Sequence, residues 1–318
     1  MNIAKHLAET DRTLFSFEIL PPLKGDAIDK VYDNIDPLMA FNPAYINVTY
    51  HREEAILKPV GNGLLKRKII RKRPGTIGLC AAIQARYKVD TVPHLLCGGF
   101  TKEDTENALI ELDFLGIKNV LALRGDSMKG QKYFTPEEDG NAFAVDLVRQ
   151  IHDLNNGIYT DEELENKHAT DFSIGVAGYP EKHYESPSLN IDIQYLKEKI
   201  DAGAGYIVTQ MFFDNTVYFR FVKKCREAGI NVPIVPGLKP LSTKRQLSII
   251  PTMFNVDIPD ELSFKILKCK SNDDVRKVGI EWTIQQSQEL KEKGVPALHY
   301  YSMGRSKNIE EVAQQVFG

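Results

Sequence analysis

No stretch of this chain approaches the roughly 18–20 consecutive apolar residues that a membrane-spanning helix needs, so no such span is expected. Cysteine is scarce. Cys80, Cys97, Cys225 and Cys269 are scattered, with no close-spaced pair of the kind zinc ligands show. Free thiols in a reducing cytoplasm are the expected setting. Neither charge sign dominates: 40 Lys plus Arg stand against 43 Asp plus Glu, for a net charge of −3, so no strong overall field draws the chain to nucleic acid. The opening Met1-Asn2-Ile3-Ala4-Lys5-His6 lacks an apolar core followed by a small-residue cleavage site, and no secretion signal is expected. No two histidines have metal-ligand spacing, and the Gly-x-Ser-x-Gly turn of a serine nucleophile is absent.

What is present is a repeating punctuation. A helix-like stretch, a Gly, a few residues and a short apolar run recur at Leu115-Gly116-Ile117, Ala202-Gly203-Ala204, Ala228-Gly229-Ile230 and Lys293-Gly294-Val295. Gly just past a helix is the usual left-handed C-cap, and the apolar run after it is the next strand. Such serial helix-to-strand junctions predict a parallel sheet. Strands are expected at Leu14–Leu20, Ala44–Tyr50, Thr91–Cys97, Val120–Leu123, Ser173–Gly178, Tyr206–Phe212, Pro233–Pro236 and Ala297–Met303. Helices are expected at Thr101–Leu115, capped by Thr101 with Asp104, and at Ile191–Asp201 and Asp273–Lys293. About eight alternating β/α repeats in 318 residues, 42% of them hydrophobic, predict a single-domain eight-stranded parallel β/α barrel of the triosephosphate-isomerase type. The rival, a doubly wound open sheet, is weakened because no Gly-x-Gly-x-x-Gly turn follows the first strand. Two loops look enlarged, His51–Gly75 and Asn155–Thr170.

In such barrels the chemistry sits at the C-terminal ends of the strands. Polar groups are expected there from Ser16, Glu18, Asn47, Thr49, His94, Arg124, Asp126, Tyr179, Glu181, Thr209, Gln210, Tyr301, Ser302 and Arg305. Glu18 is the most informative of them. Strand alternation places Phe15, Phe17 and Ile19 on one face and Ser16 and Glu18 on the other. A carboxyl in apolar surroundings has its pKa pushed up, which suits a proton donor near neutral pH. A structural ion pair with a basic residue is the alternative at this point.

Arg124-Gly125-Asp126 spells a cell-adhesion tripeptide, but it adjoins a buried strand. Gly125 lets a ligand approach the backbone, Arg124 suits a phosphate, and Asp126 suits a ring nitrogen. A local ion pair is the bland alternative. Lys66-Arg67-Lys68 and Arg71-Lys72-Arg73 read first as a solvated helix face, and second as an electrostatic site for an anionic substrate tail. His94 is either a hydrogen-bonded core histidine or a ligand contact.

Seven pieces occur in order along nearly the whole chain. They are Ser16-Phe17-Glu18 with Pro21-Pro22, Asn47-Val48-Thr49-Tyr50, Pro93-His94-Leu95-Leu96-Cys97, Leu123-Arg124-Gly125-Asp126, Ala177-Gly178-Tyr179-Pro180-Glu181 with His183, Thr209-Gln210 with Phe212-Phe213-Asp214, and Pro236-Gly237-Leu238 with Pro240. Together they resemble the 5,10-methylenetetrahydrofolate reductase family, in its bacterial, catalytic-domain form. The resemblance implies an FAD-containing barrel that uses NADH or NADPH to reduce methylenetetrahydrofolate to 5-methyltetrahydrofolate for methionine synthesis. Glu18 resembles the family's general acid, which protonates the bridging nitrogen and opens the ring to an iminium. Asp126 resembles the carboxylate beside the flavin. The FAD contacts it implies are Thr49, His94, Arg124, Gly125, Asp126, Ala144, Tyr179, His183, Asp192 and Lys199. The folate contacts are Ser16, Gln210, Gln246 and Arg305. Nicotinamide and folate would take turns at one flavin face, which implies ping-pong kinetics. No metal is implied, and a cytoplasmic homo-oligomer is expected.

Departures from the family pattern are Ile19-Leu20 after the Glu, the long basic loop 51–75, and Ile250 where a folate-stacking aromatic is expected, with Phe254 a turn away. The basic loop is expected to attract the folate glutamate tail. The chain ends at Gly318, so no S-adenosylmethionine-binding regulatory domain is expected. The rivals are a flavin-free pterin-binding methyltransferase barrel and a non-catalytic barrel.

Overall fold

The computed structural model describes residues 1–128, 131, 133–302, 304 and 306–318, and all of these but the side chain of residue 55. The chain runs α1 (Ile3–Glu9), β1 (Leu14–Ile19), α2 (Asp29–Ile35), a 3₁₀ turn (Asp36–Phe41), β2 (Tyr45–Val48), β3 (Glu54–Pro59), β4 (Leu65–Ile70), α3 (Thr76–Tyr87), β5 (Asp90–Leu96), α4 (Lys102–Phe114) and β6 (Asn119–Leu123). It continues with α5 (Ala144–Asn155), β7 (Ser173–Gly178), α6 (Leu189–Asp201), β8 (Tyr206–Met211), α7 (Asn215–Glu227), β9 (Ile234–Leu238), α8 (Gln246–Phe254), α9 (Asp260–Lys268), α10 (Asn272–Glu292), β10 (Ala297–Tyr301) and α11 (Lys307–Val316). Eight parallel strands close in the order β1-β10-β9-β8-β7-β6-β5-β2, so the expected barrel is what forms.

The sequence logic of the junctions holds at the backbone. Gly116, Gly203, Gly229 and Gly294 all have positive φ, between 69° and 120°, the left-handed turn that ends each helix and returns the chain to the sheet. Thr101 and Asp104 form a reciprocal capping box at the start of α4, and Ser271 with Asp274 does the same for α10. Among the described residues no helix is long and apolar enough to cross a membrane. The four cysteines are free thiols.

Alternation along the strands divides the apolar residues between two compartments. Phe15, Phe17, Ile19, Leu298 and Tyr300 face outward and join the main core between barrel and helices. Leu14, Tyr45, Val92, Leu121, Tyr206 and Val235 face inward and pack with Ile3 and Leu7 of α1, which seals the lower end. The backbone N–H of Ile3 donates to Asn119 Oδ1 at 2.9 Å and that of Ala4 to Ser173 Oγ at 3.1 Å, fixing α1 to β6 and β7. A third cluster, of Met211, Phe213, Leu241, Ile250, Val256, Leu262, Ile266 and Val275, binds α8 to α10 against the β8 and β9 side of the rim.

Two sequence expectations are corrected. The segment expected as a long loop with a basic helix face is an antiparallel hairpin, β3 paired with β4 from Glu54↔Ile70 to Pro59↔Leu65. The charges of Lys66-Arg67-Lys68 alternate between two exposed faces of a strand, and a helix is excluded by the Val60–Leu64 turn that sets the register. The seventh barrel strand ends at Leu238, two residues beyond the expected Pro236. That shift brings Lys239 to the rim. Met303, expected at the end of the last strand, lies outside the described residues.

Gly279 on α10 is set by close approach: a Cβ there would stand 2.0 Å from the Leu241 carbonyl oxygen. Backbone cannot give way as a side-chain tip can, so overpacking outweighs the gain in helix propensity of about 1 kcal/mol. Gly279→Ala should lose about 1–3 kcal/mol of stability in urea unfolding. An unchanged midpoint would show that α10 is not pressed onto this loop.

Candidate active site

The upper half of the barrel interior is polar. Ser16 pairs with His299, and Glu18 with Tyr301 on one side and Asn47 on the other. Ser16 Oγ lies 3.0 Å from His299 Nδ1, and Asn47 Nδ2 lies 3.3 Å from His94 Nε2. His94 Nε2 is 3.6 Å from Glu18 Oε2. This contact joins neutral groups. Burial pushes Glu18 up to about 8, with Lys239 pulling the other way, and burial pushes His94 down to about 3, helped by the charge of His51. His299 is likewise pushed down to about 3 by burial. The site therefore holds a protonated carboxyl against a neutral imidazole at neutral pH, which is the ionisation state a general acid needs.

Glu18 is fixed from behind. The Ser302 hydroxyl donates to its carbonyl oxygen at 2.5 Å, across the β1–β10 seam. Beside it, the Tyr301 hydroxyl donates to Thr209 O at 2.5 Å, and Thr209 Oγ1 accepts from the Gly237 N–H at 3.0 Å. The residue that sequence reasoning missed is Lys239, half-buried immediately after β9. Burial pushes its ammonium down to about 8, with Glu18 holding it up. The signal was available: Lys239 is the one charge in Ile234-Val-Pro-Gly-Leu-Lys-Pro-Leu241, the same kind of anomaly that singled out Glu18.

A second polar group occupies the rim between β6 and β7. Arg124 Nη1 meets Glu185 Oε2 at 2.6 Å and its guanidinium lies over the Phe134 ring at 5.1 Å. Gly125 follows with φ 84°, and a Cβ there would stand 3.3 Å from the Leu96 side chain. The Tyr179 and His183 rings meet edge to face at 4.8 Å. Asp192 anchors this loop, accepting from Ser186 Oγ at 2.7 Å and from the His183 N–H at 3.0 Å. Lys199, one helical face along α6, donates to Ala177 O at 2.8 Å, and burial pushes it down to about 8 against the pull of Asp192. Ala144 is the first residue of α5, so its backbone N–H belongs to a positive helix end. Two cations, a helix N-terminus and a pair of aromatic rings fit a dinucleotide with a pyrophosphate.

The structure brings Glu18, His94 and Ser16 together inside the barrel, and Arg124, Gly125, Tyr179, His183, Asp192 and Lys199 together on the rim. Asp126 is exposed on the loop after β6, and Thr49 Oγ1 is 3.2 Å from His51 Nε2. Ser16 is fully buried two residues below Glu18 and is occupied by His299. Gln210 folds its Oε1 onto the Met211 N–H at 2.9 Å. Gln246 spends its Oε1 on the N–H groups of Ser242 at 2.7 Å and Thr243 at 2.9 Å, closing the loop before α8. Ile250 is buried in the third cluster and Phe254 packs against it. Arg305 lies outside the described residues.

The raised Glu18 has a consequence for stability. Below pH 4.5 both folded and unfolded chains hold this proton, and from there to about pH 8 only the folded chain does, so stability falls as pH rises through that window. Glu18→Gln should therefore gain thermal stability over the parent between pH 5 and pH 8, by on the order of 5 °C at the upper end. Melting curves that stay parallel across this range would place the carboxyl in water.

The chain matches the family described as methylenetetrahydrofolate reductase over residues 2–317. It is 32% identical over 314 residues to methylenetetrahydrofolate reductase (NADH) 1 of Arabidopsis thaliana, covering 96% of this chain and 48% of the relative. To 5,10-methylenetetrahydrofolate reductase of Pectobacterium carotovorum subsp. carotovorum it is 31% identical over 295 residues, covering 92% of this chain and 86% of the relative. It thus spans about half the length of the plant relative and most of the bacterial one. A solved structure, an uncharacterized protein from Clostridium thermocellum that binds two copies of 5-methyl-5,6,7,8-tetrahydrofolic acid, superposes with a TM-score of 0.60 at 13% identity, covering 100% of this chain and 98% of that one. At that identity the likeness speaks for the barrel alone. The family match along the whole barrel and the bacterial relative together show that this chain belongs to the methylenetetrahydrofolate reductase family.

Proposed function

We propose that the chain is a single FAD-binding barrel that reduces 5,10-methylenetetrahydrofolate to 5-methyltetrahydrofolate with a reduced nicotinamide, supplying methyl groups for methionine synthesis. The observation that carries this reading is Glu18: an acid buried at the barrel mouth, 7% exposed, and still protonated near neutral pH. Its proton would go to the nitrogen that bridges the one-carbon unit of the folate. Protonation there makes the nitrogen a leaving group and opens the ring to an iminium. FAD, when bound, supplies two-electron transfer between nicotinamide and folate. Arg124 and Lys199 would hold its phosphates, the α5 N-terminus at Ala144 would add backbone charge, and Tyr179 with His183 would line its adenine end. Asp126 would hydrogen-bond the ring systems at the mouth. Nicotinamide and folate would take turns at one flavin face, hence ping-pong kinetics. Relatives are named for NADH and for NADPH.

A flavin-free pterin-binding methyltransferase barrel would also keep an acidic pterin clamp. Arg124 and Lys199, two cations that both act on His183, favour the dinucleotide reading. Anaerobic addition of NADH should bleach the flavin spectrum of the purified protein, and methylenetetrahydrofolate should restore it. In Glu18→Gln the bleaching step should be unchanged and the recovery slowed by about 10²–10⁴-fold. Full-rate recovery in this variant would remove Glu18 from the acid role, and a colourless protein that FAD cannot restore would move the reading to the methyltransferase.

The β3–β4 hairpin would receive the folate's glutamate tail. Arg73 Nη1 ties its base to the segment after β1, donating to Pro21 O at 2.5 Å, and the two arms are joined there by Lys72 with Glu54 at 2.7 Å and Arg71 with Glu53 at 3.5 Å. Farther out, Lys58 stands directly opposite Lys66, with Lys68 on the same face. Like charges across a ladder cost stability and favour an anionic ligand. Changing Lys58, Lys66 and Lys68 to Ser should weaken binding of polyglutamylated folate several-fold more than that of the monoglutamate, in titration calorimetry at low salt. Equal losses would dismiss the tail site.

A further inference from the structure

The ammonium of Lys239 stands at the barrel mouth with no hydrogen bond or ion pair among the described residues. Its position follows from strand register. Gly237 lies beside His299 and Leu238 beside Tyr300, so the next step sets Lys239 beside Tyr301. Tyr301 in turn pairs with Glu18. Lys239, Tyr301 and Glu18 therefore occupy one level of three adjacent strands. Leu238 points outward into the main core, which turns Lys239 toward the mouth. The Tyr301 ring lies over Gly237, where a Cβ would meet it at 2.6 Å, and its hydroxyl is tied to Thr209. The ring is thereby fixed against the strand that leads into Lys239.

Two strand spacings, roughly 10 Å, separate the backbones of Lys239 and Glu18. A four-carbon stem on one side and a glutamate on the other close most of that gap without contact. The other titratable groups around Glu18 carry no charge at neutral pH: His94 from β5, His299 and Tyr301 from β10, and Tyr45 from β2. Lys239 is the one charge acting on the Glu18 carboxyl among the described residues. Its distance matters. A cation in contact would ionise the acid before substrate arrived, and no cation would leave the spent carboxylate alone in a low-dielectric pocket.

We propose that Lys239 is the positioning residue that faces the negative charge left on Glu18 when this carboxyl gives up its proton. The inference rests on the reductase reading. The proton passes from the carboxyl to the bridging nitrogen of the folate. The O–H electron pair stays on Glu18 as carboxylate, and the C–N bond then breaks with its electrons going to that nitrogen. No oxidant or reductant enters this step. The ammonium interacts weakly with the neutral acid and strongly with the carboxylate, so it favours the state after proton transfer over the state before it.

The test is the carboxyl stretch of Glu18, followed by difference infrared spectroscopy against pH in the folate-free holoenzyme, with Glu18→Gln identifying the band. In Lys239→Met the midpoint should rise by on the order of one pH unit, and in Lys239→Arg it should stay near the parent value. Flavin recovery by folate should slow about tenfold in the Met variant, while bleaching by nicotinamide is unchanged. Lys239→Gln serves if the Met variant does not fold. An unmoved midpoint overturns the proposal, and slowed recovery with an unmoved midpoint overturns it too, by making Lys239 a substrate contact. If Glu18→Gln itself recovers at full rate, the acid assignment falls while the infrared result still reports the coupling of the two side chains.

Discussion

Keeping one carboxyl dry and uncharged is the constraint on which the site depends. Glu18 has no cation within contact distance among the described residues, and its nearest ring, His94, is held neutral by the same burial that holds the acid protonated. A buried carboxyl next to a buried imidazole would ordinarily exchange a proton and become an ion pair. Here both groups are desolvated strongly enough that the neutral forms win. The ring of Ser16, Asn47, His94 and His299 below supplies hydrogen bonds without supplying charge. The apolar plug beneath it, where α1 meets Tyr45 and Tyr206, closes the other end.

The rim follows different physics. The Arg124, Tyr179, His183, Asp192 and Lys199 group is rich in charge, and the charges are paired or tied to backbone. The two halves of the opening are thus complementary: one dry and neutral, suited to moving a proton, the other ionic, suited to holding an anionic cofactor. They sit on opposite sides of a barrel whose eight strands are legible, to within two residues at their ends, from glycine C-caps and apolar runs, because those signals are local. Thr101 with Asp104 needs four residues to declare a helix start, and Gly116 needs one to declare its end.

What the sequence left unread is non-local. The basic run at 66–68 has no local mark of strand or helix, and only its pairing with Glu54–Pro59 decides the matter. Gln246 looks like a free amide until the loop at Ser242 and Thr243 folds onto it. Ile250 looks like a failed stacking residue until the α8–α10 cluster encloses it. Lys239 was hidden by a boundary error of two residues in the strand before it. Glu18 was legible because alternation in a six-residue strand is strict, and Phe15, Phe17 and Ile19 fix the phase.

The pocket of Glu18 is built across the seam where the ring of strands closes. Ser302, which accepts the task of holding its backbone, and Tyr301 beside it come from the far end of the sequence, 284 residues away in the case of Ser302. The strand that carries Glu18 and the residues that flank it thus lie at opposite ends of the sequence, and the pocket is whole only where β10 sits between β9 and β1. A chain cut before β10 would lack both Tyr301 and Ser302 and leave that flank of the carboxyl open to water.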